Sequence, residues 1–285
     1  MKAQGRIVKG VGGVYTVACG SRTYELSTRG KIRLSDKLEV GDFVTFDPQK
    51  GRVEEILPRK NKLLRPALCN VDQVLVVLAS SPAPDLGLTD RMLVFLEQNG
   101  IKSFLAVNKA DLHPAGFFED LRFQYGRAAD GVLCFSALTG EGVEGIAALL
   151  QGKLTCLAGQ SAVGKSTLLN ALTGLSAETG DLSRIERGRH TTRHSQIYAL
   201  GPDTFLADTP GFSEFGILID PRTLHEYYPD FDQFAGQCRF RGCTHAEEPD
   251  CAVRAAAEDG ALSPARYARY REWLERLKKE WERRY

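Results

Sequence analysis

The spacing of apolar and polar positions changes along the 285 residues. Residues 1–66 are rich in glycine and in β-forming residues with partial alternation, which predicts short strands joined by tight turns in a small barrel. Between residues 67 and 219, apolar runs alternate with helical segments, as a mostly parallel sheet with helices on both faces requires. The expected strands are 74–79, 104–107, 132–135, 154–158 and 204–207, and the expected helices include 90–98 and 117–125.

The third predicted unit, residues 220–285, contains a cysteine cluster and ends in a helix. Ser263 is suited to the N-cap of this helix, and Pro264 to its first position. Apolar side chains then recur at spacings of three and four, which places them on one stripe. We expect the stripe to pack on the protein itself, and a partner-facing surface is the alternative. Its members are Tyr267, Tyr270, Leu274, Leu277 and Trp281.

Charge is unevenly distributed although the total is nearly balanced. Lys and Arg number 37 and Asp and Glu 36, yet residues 1–66 carry 14 basic and seven acidic side chains. Basic side chains on a small barrel, as on an OB-fold, indicate contacts with RNA phosphates. A solvated basic surface is the alternative. The residues concerned are Arg22, Arg29, Lys31 and Arg33.

The sequence predicts a cytoplasmic protein with no membrane partner. Its opening residues contain no apolar stretch of the signal-peptide kind, and the aliphatic run at 74–79 is too short to cross a bilayer. Four of the seven cysteines lie far apart in segments that resemble buried strands or turns, and we expect them to be core residues. They are Cys19, Cys69, Cys134 and Cys156.

The other three cysteines cluster around a histidine, as Cys238-x4-Cys243-x-His245-x5-Cys251. Three thiolates and an imidazole suit tetrahedral zinc in a reducing compartment. Because four protein ligands leave no open position, we expect one structural zinc ion per chain. The spacing is not that of the common zinc fingers, so three unrelated cysteines and a histidine are the alternative.

Residues 159–167 read GQSAVGKST and lie between an apolar strand and a helical segment. Backbone N–H groups of such a Gly-x4-Gly-Lys-Ser loop, and the positive end of the following helix, surround phosphates. Lys165 is expected to reach the β- and γ-phosphates, and Ser166 to ligate magnesium. The predicted phosphate-binding residues are Gly159, Gln160, Ser161, Ala162, Val163, Gly164, Lys165, Ser166 and Thr167.

A second motif, Asn108-Lys109-Ala110-Asp111, follows an apolar strand and therefore lies where α/β sheets bind ligands. The Asp111 carboxylate can accept two hydrogen bonds from guanine, whereas adenine lacks that pair of donors. Ser136 and Ala137 also follow a strand and can give backbone N–H groups to the guanine oxygen. These motifs precede the phosphate loop, whereas a conventional GTPase has them after it.

Asp208-Thr209-Pro210-Gly211 follows the last predicted strand and fits a metal and γ-phosphate motif. Asp208 would lie beside the magnesium ion without ligating it, and the Gly211 N–H would face the γ-phosphate. With the segment 180–193, this motif is interpreted as one of two switch regions. Because the chain passes from here to the cysteine cluster, we expect switch movement to reach the C-terminal unit.

With the order NKAD, SALTGEG, GQSAVGKST, GRHTT and DTPG, the whole chain resembles the bacterial small-subunit-dependent GTPases of the RsgA or YjeQ family. Arg65-Pro66 and residues 70–73 also resemble that family. The resemblance implies an OB-fold (1–66), a circularly permuted GTPase domain (67–219) and a zinc domain with a C-terminal helix (220–285). It further implies docking on the small ribosomal subunit and its rRNA during late maturation, with GTP hydrolysed to GDP and phosphate. We expect a monomer.

The resemblance also bears on catalysis. Phe212 stands where many GTPases carry a water-orienting glutamine, so intrinsic hydrolysis should be slow. The family points to His190 as the group that positions water when the ribosome orders its loop, beside Lys165 on the phosphates. Thr192 is the expected second magnesium ligand, with Thr191 as the alternative. A GTP-dependent rRNA-binding module, and an ATPase in which Asp111 does not face the base, are the competing hypotheses.

Overall fold

The computed structural model describes residues 2–27, 37–64, 67–178, 196–208 and 219–283. Three of the basic residues proposed for RNA contact, Arg29, Lys31 and Arg33, lie outside these ranges, while Arg22 is exposed on the barrel. Among the helices of the described residues, none combines the length and the hydropathy that a bilayer-spanning segment needs.

The N-terminal strands close into a barrel in the order β1-β2-β3-β5-β4. The turn between β1 and β2 needs two residues with positive φ, which Gly12 and Gly13 supply at 61° and 83°. Alternate positions face inward, so Ile7, Val17 and Phe46 are fully buried. The strands are β1 (Ala3–Val11), β2 (Val14–Cys19), β3 (Arg22–Ser27), β4 (Phe43–Asp47) and β5 (Arg52–Ile56).

A two-stranded hairpin of β6 (Lys62–Leu64) and β7 (Ala67–Cys69) leads into a sheet ordered β10-β9-β8-β11-β13-β12. All its neighbours pair in parallel except β12 and β13. The antiparallel β12 is not among the strands that the hydrophobic pattern predicts. The strands are β8 (Gln73–Ala79), β9 (Lys102–Asn108), β10 (Gly131–Cys134), β11 (Leu154–Ala158), β12 (Gln196–Gly201) and β13 (Thr204–Asp208).

Helices cover both faces of this sheet, as the alternation predicts. Side chains of α1 and α2 share one core cluster with β8 and β9, and side chains of α3 and α4 share the cluster on the opposite face. The first helix begins four residues before its expected start, because Asp85 caps it and accepts from the Leu88 N–H. The helices are α1 (Leu86–Gln98), α2 (Phe117–Tyr125), α3 (Val143–Leu150) and α4 (Lys165–Glu178).

The C-terminal unit is helical. Ser263 caps the terminal helix by accepting from the Arg266 N–H, as the sequence predicts. On the predicted stripe, Tyr267, Tyr270 and Leu274 are buried, so the stripe packs on the protein itself. The elements are two 3-10 helices (Pro221–Tyr227 and Pro229–Phe231), α5 (Asp232–Ala235), α6 (Ala252–Glu258) and α7 (Pro264–Glu282).

Candidate nucleotide site and metal centre

The predicted phosphate loop joins β11 to α4 at the carboxyl end of the sheet. Gly159 has φ +124°, and a Cβ there would lie 2.2 Å from the Val77 carbonyl oxygen, so only glycine fits between β11 and β8. The loop ends at Gly164, and α4 begins at Lys165. Its first-turn N–H groups therefore lie at the loop, as an anion site requires.

The Lys165 ammonium points back into the loop. It donates to the carbonyl oxygens of Gly159 at 2.8 Å and of Gln160 at 2.5 Å. Ser166 and Thr167, which follow in the first turn of α4, are exposed, as are Ser161 and Ala162. The backbone of Ala162 is left-handed, with φ 64°. The predicted phosphate-binding residues thus share one end of the sheet.

Asn108 joins the two motifs that the sequence separates. At the end of β9, its Nδ2 donates to the Val163 carbonyl oxygen at 2.8 Å, and its Oδ1 accepts from the Ala137 N–H at 2.9 Å. The side chain is buried, and a Cβ on Gly164 would lie 2.2 Å from its Nδ2. One amide therefore holds the phosphate loop and the predicted base loop at a fixed separation.

The remaining base-motif residues differ in burial and in their hydrogen-bond partners. Lys109 donates from Nζ to the carbonyl oxygens of Ser81 at 2.6 Å and Ala162 at 3.0 Å. Ser136 is buried, its N–H bonded to the Glu141 carbonyl oxygen at 2.9 Å. Asp111, in the 3-10 helix Ala110–Leu112, is exposed.

The magnesium and switch residues are described only in part. Asp208 is the last residue of β13, paired with Leu157 of β11, so its backbone lies level with the start of the phosphate loop. His190, Thr191, Thr192 and Gly211 lie outside the described residues.

A second cluster of polar ligands lies in the C-terminal unit. The donor atoms of Cys238, Cys243, His245 and Cys251 all lie within 4.8 Å of one another. His245 Nδ1 is 3.5 Å from the sulfurs of Cys238 and Cys251, which are themselves 4.0 Å apart. Sulfur ligands of tetrahedral zinc lie roughly 3.8 Å apart, given Zn–S bonds of about 2.3 Å. The donor set and its spacing therefore fit this metal.

The protonation states in this cluster follow from burial. Burial lowers the pKa of His245 to about 4, so its imidazole is neutral near pH 7 and can act as a ligand. Burial raises the pKa of the Cys243 thiol to about 12 without a metal. A thiolate ligand must lose its proton, so metal binding here releases protons.

Glu248 holds the backbone of this cluster in place. Its carboxylate accepts from the N–H and hydroxyl of Thr244, both at 2.7 Å, and from the Ala246 N–H at 3.0 Å. Burial raises the pKa of Glu248, but these hydrogen bonds outweigh it and lower the pKa to about 2. Glu248 was not predicted from the sequence, although a carboxylate three residues after His245 is a recognisable signal.

Two family models match this chain and identify its family. The model of the RsgA GTPase family matches residues 56–218, and that of the RsgA N-terminal domain matches residues 4–53. The chain belongs to the RsgA GTPase family. It is therefore a GTP-hydrolysing enzyme, and the resemblance drawn from the motifs is confirmed.

Relatives of known name match over their full length. The small ribosomal subunit biogenesis GTPase RsgA of Agathobacter rectalis is 40% identical, covering 96% of this chain and 98% of the relative. The protein of the same name from Caldanaerobacter subterraneus subsp. tengcongensis is 38% identical, covering 100% and 99%.

Two solved structures share the fold. YjeQ from Thermotoga maritima superposes with a TM-score of 0.81 at 32% identity, covering 97% of this chain and 99% of its own. YloQ, described as a circularly permuted GTPase, gives 0.80 at 32% identity, covering 98% and 96%. These matches, with the closed barrel and the Cys and His cluster, confirm the predicted fold class.

Proposed function

We propose that the chain hydrolyses GTP to GDP and phosphate as a switch in the biogenesis of the small ribosomal subunit, and that the subunit stimulates hydrolysis. The observation that carries the proposal is the Asn108 amide, which joins the phosphate loop to the base loop. The names of the full-length relatives support the ribosomal context. Without these relatives, the order of the motifs would support a permuted GTPase but no ribosomal role.

In this account the nucleotide lies across the carboxyl ends of β8, β9 and β11. Lys165 and the N–H groups of residues 159–167 hold the phosphates, and Asp111 accepts from the guanine. Asp111 is exposed, and a bound base would cover it and strengthen its selectivity. Ser136 and Ala137 would line the base position, with Asn108 and Lys109 holding the loops. The N–H groups of Ser136 and Ala137 bond to Glu141 and Asn108 within the protein.

The catalytic roles proposed below rest on the sequence motifs and on membership of the RsgA GTPase family. Ser166 and Thr192 would ligate magnesium, which neutralises charge on the phosphates. Asp208 would lie beside that ion, and the Gly211 N–H would face the γ-phosphate. His190 would orient the attacking water when the chain is bound to the subunit.

The units on either side of the GTPase domain have structural and RNA-binding roles in this proposal. Cys238, Cys243, His245 and Cys251 would hold one structural zinc ion, because four protein ligands leave no position for substrate. The exposed Arg22 and the other basic residues of 1–66 would meet rRNA phosphates. We propose three units, at residues 1–66, 67–219 and 220–285, and a protein that acts as a monomer.

Single-turnover phosphate release, measured with and without small subunits, tests this function. We expect stimulation on the order of 100-fold, the range that a positioned proton-transfer group supplies. His190→Ala should lose most of it while GTP affinity stays unchanged, and His194→Ala, four positions further along the chain, is the matched control. Equal rates with and without subunits would favour the GTP-dependent rRNA-binding module, and normal stimulation of His190→Ala would remove His190 from the mechanism.

A further inference from the structure

Gln160, in the phosphate loop, makes two contacts that point in different directions. Its backbone carbonyl oxygen accepts from the Lys165 ammonium at 2.5 Å. Its side-chain Oε1 accepts from the backbone N–H of Asp85 at 2.9 Å, 75 positions away along the chain. One residue therefore touches both the phosphate-binding lysine and a separate element.

Asp85 is the N-cap of α1, so this contact fixes the start of a helix. The Asp85 carboxylate accepts from the Leu88 N–H at 2.8 Å, and its carbonyl oxygen accepts from the Thr89 N–H at 3.0 Å. These bonds leave the Asp85 N–H as a donor at the helix entrance. The Gln160 side chain occupies that donor and joins the phosphate loop to α1.

One turn further along α1, Asp90 is held by the C-terminal helix. Its Oδ1 accepts from Arg266 Nη1 at 2.5 Å and its Oδ2 from Arg269 Nε at 2.5 Å. The Asp90 and Arg266 side chains are 3% and 1% exposed, so this ion pair is shielded from water. A buried pair with this geometry fixes α1 against α7, because separating it would leave charges unpaired.

The same face of α7 continues to the metal centre. Tyr267 donates from its hydroxyl to the His245 carbonyl oxygen at 2.8 Å, and Tyr270 donates to that of Thr244. The contacts therefore run without a gap from the cysteine cluster through α7 and α1 to Gln160 and Lys165.

We propose that Gln160 is a positioning residue: it holds Lys165 in place by anchoring the phosphate loop to α1, and α7 fixes the anchor. This inference rests on the proposed role of Lys165 in binding the phosphates. The Gln160 side chain acts on the nucleotide through Lys165, and the C-terminal helix thereby contributes to GTP affinity from outside the pocket. Asp85, Arg269 and Gln160 form one coupled set.

Two variants that remove the Gln160 acceptor and the Asp85 donor separately test the hydrogen bond between them. Gln160→Leu removes the acceptor, and Asp85→Pro removes the N–H at a position whose φ of −75° proline can adopt. Asp85→Ala is the control, because it loses the cap and keeps the N–H. We expect each donor or acceptor loss to raise the Kd for a fluorescent GTP analogue about fivefold, the value of one hydrogen bond.

The double variant separates positioning from simple destabilisation. Gln160→Leu with Asp85→Pro should bind no more weakly than Asp85→Pro alone, because both remove the same bond. Additive losses, or an unchanged Kd in Gln160→Leu, would overturn the proposal. Thermal unfolding of Gln160→Leu should match the wild type, since the contact lies at an exposed position.

A second pair of variants tests the contact between α7 and α1. Arg269→Gln releases one contact to Asp90 while Arg266 retains the other, and we expect the Kd to rise about threefold. Arg276→Gln is the control, because its partner Glu272 lies on the same helix. Equal affinities of both variants would overturn the coupling to α7.

Lys165→Ala distinguishes failure of the inference from failure of the proposed site. If Lys165→Ala abolishes GTP binding and the Gln160 and Asp85 variants bind normally, only the positioning role is wrong. If Lys165→Ala binds GTP like the wild type, the phosphate assignment itself is wrong and the inference falls with it.

Discussion

Asn108 shows how much of the site depends on one side chain. Its amide has one donor bond to the phosphate loop and one acceptor bond to the base loop, and both partners are backbone atoms. Gly164 lies against it closely enough that any side chain would collide with the amide nitrogen. The glycine of the loop motif thus serves the proposed base site as well as the proposed phosphate site.

Gly164→Ala should therefore damage both halves of the site. The added Cβ would lie 2.2 Å from Asn108 Nδ2, at a backbone φ of +99° that alanine disfavours. We expect GTP affinity to fall at least about tenfold, because the bond to Val163 is lost and the loop is strained. Equilibrium binding of GTP measures the effect.

Gly174→Ala is the matched control. It lies in α4 with no atom within 4 Å of the added Cβ, so the helix should gain about 0.5–1 kcal/mol of stability with GTP affinity unchanged. Equal GTP affinity in the two variants would contradict the bridging role of Asn108.

For single residues, the sequence predicts which side chains belong to the site better than it predicts the hydrogen bonds between them. The residues of both motifs follow from loop chemistry, since Lys165 and Asp111 belong to recognisable patterns after apolar strands. The bond between Gln160 and Asp85 could not be predicted, because it joins positions 75 apart and uses a backbone donor. No motif or local pattern in the sequence indicates a contact of this kind.

Among the elements, those with strong local signals were predicted and those that depend on tertiary partners were not. The Ser263 cap and the following proline predict the start of α7. Gly87 in the first turn of α1 weakens the helical pattern there, so the Asp85 cap was missed. The antiparallel β12 has its pairing only with β13 in the described sheet, which no local pattern encodes.

The cysteine cluster should depend on zinc for its structure. Cys243→Ser replaces a buried thiolate ligand, so we expect the metal content to fall from about one zinc per chain towards zero. Thermal unfolding should begin at lower temperature, because metal binding contributes to folding. Elemental analysis and calorimetry measure the two effects.

Cys19→Ser in the barrel is the control, because Cys19 lies outside the cluster. It should retain full zinc content. A wild-type protein that contains no zinc after purification without chelator would contradict the assignment.

On the scale of the whole molecule, buried charges join the units. Arg266 is 1% exposed and binds Asp90 of the GTPase domain and Asp230 of the C-terminal unit. Its guanidinium also stacks 4.7 Å from the Tyr228 ring centre. Asp90 and Arg266 stand 176 positions apart, so no periodicity in the sequence could reveal this pair.

Arg266→Met should lower the free energy of unfolding by about 3–5 kcal/mol, because buried carboxylates lose their partner. Adding Asp230→Asn should recover part of the loss by removing one unpaired charge. Denaturant unfolding measures both.

Arg254→Met is the control for this pair of variants, since its ion pair with Glu258 lies within α6 and is largely exposed. It should cost less than about 1 kcal/mol. A similar loss in Arg254→Met and Arg266→Met would contradict the special role of the buried pair.

We propose that the motifs, in their permuted order, form one pocket for GTP. Competition of unlabelled GTP and ATP for that pocket, in wild type and in Asp111→Asn, is the decisive experiment. Wild type should prefer GTP strongly, and Asp111→Asn should lose at least about tenfold of that preference, since a charged acceptor is replaced. Equal selectivity in the two proteins would show that Asp111 does not read the base and would contradict the account.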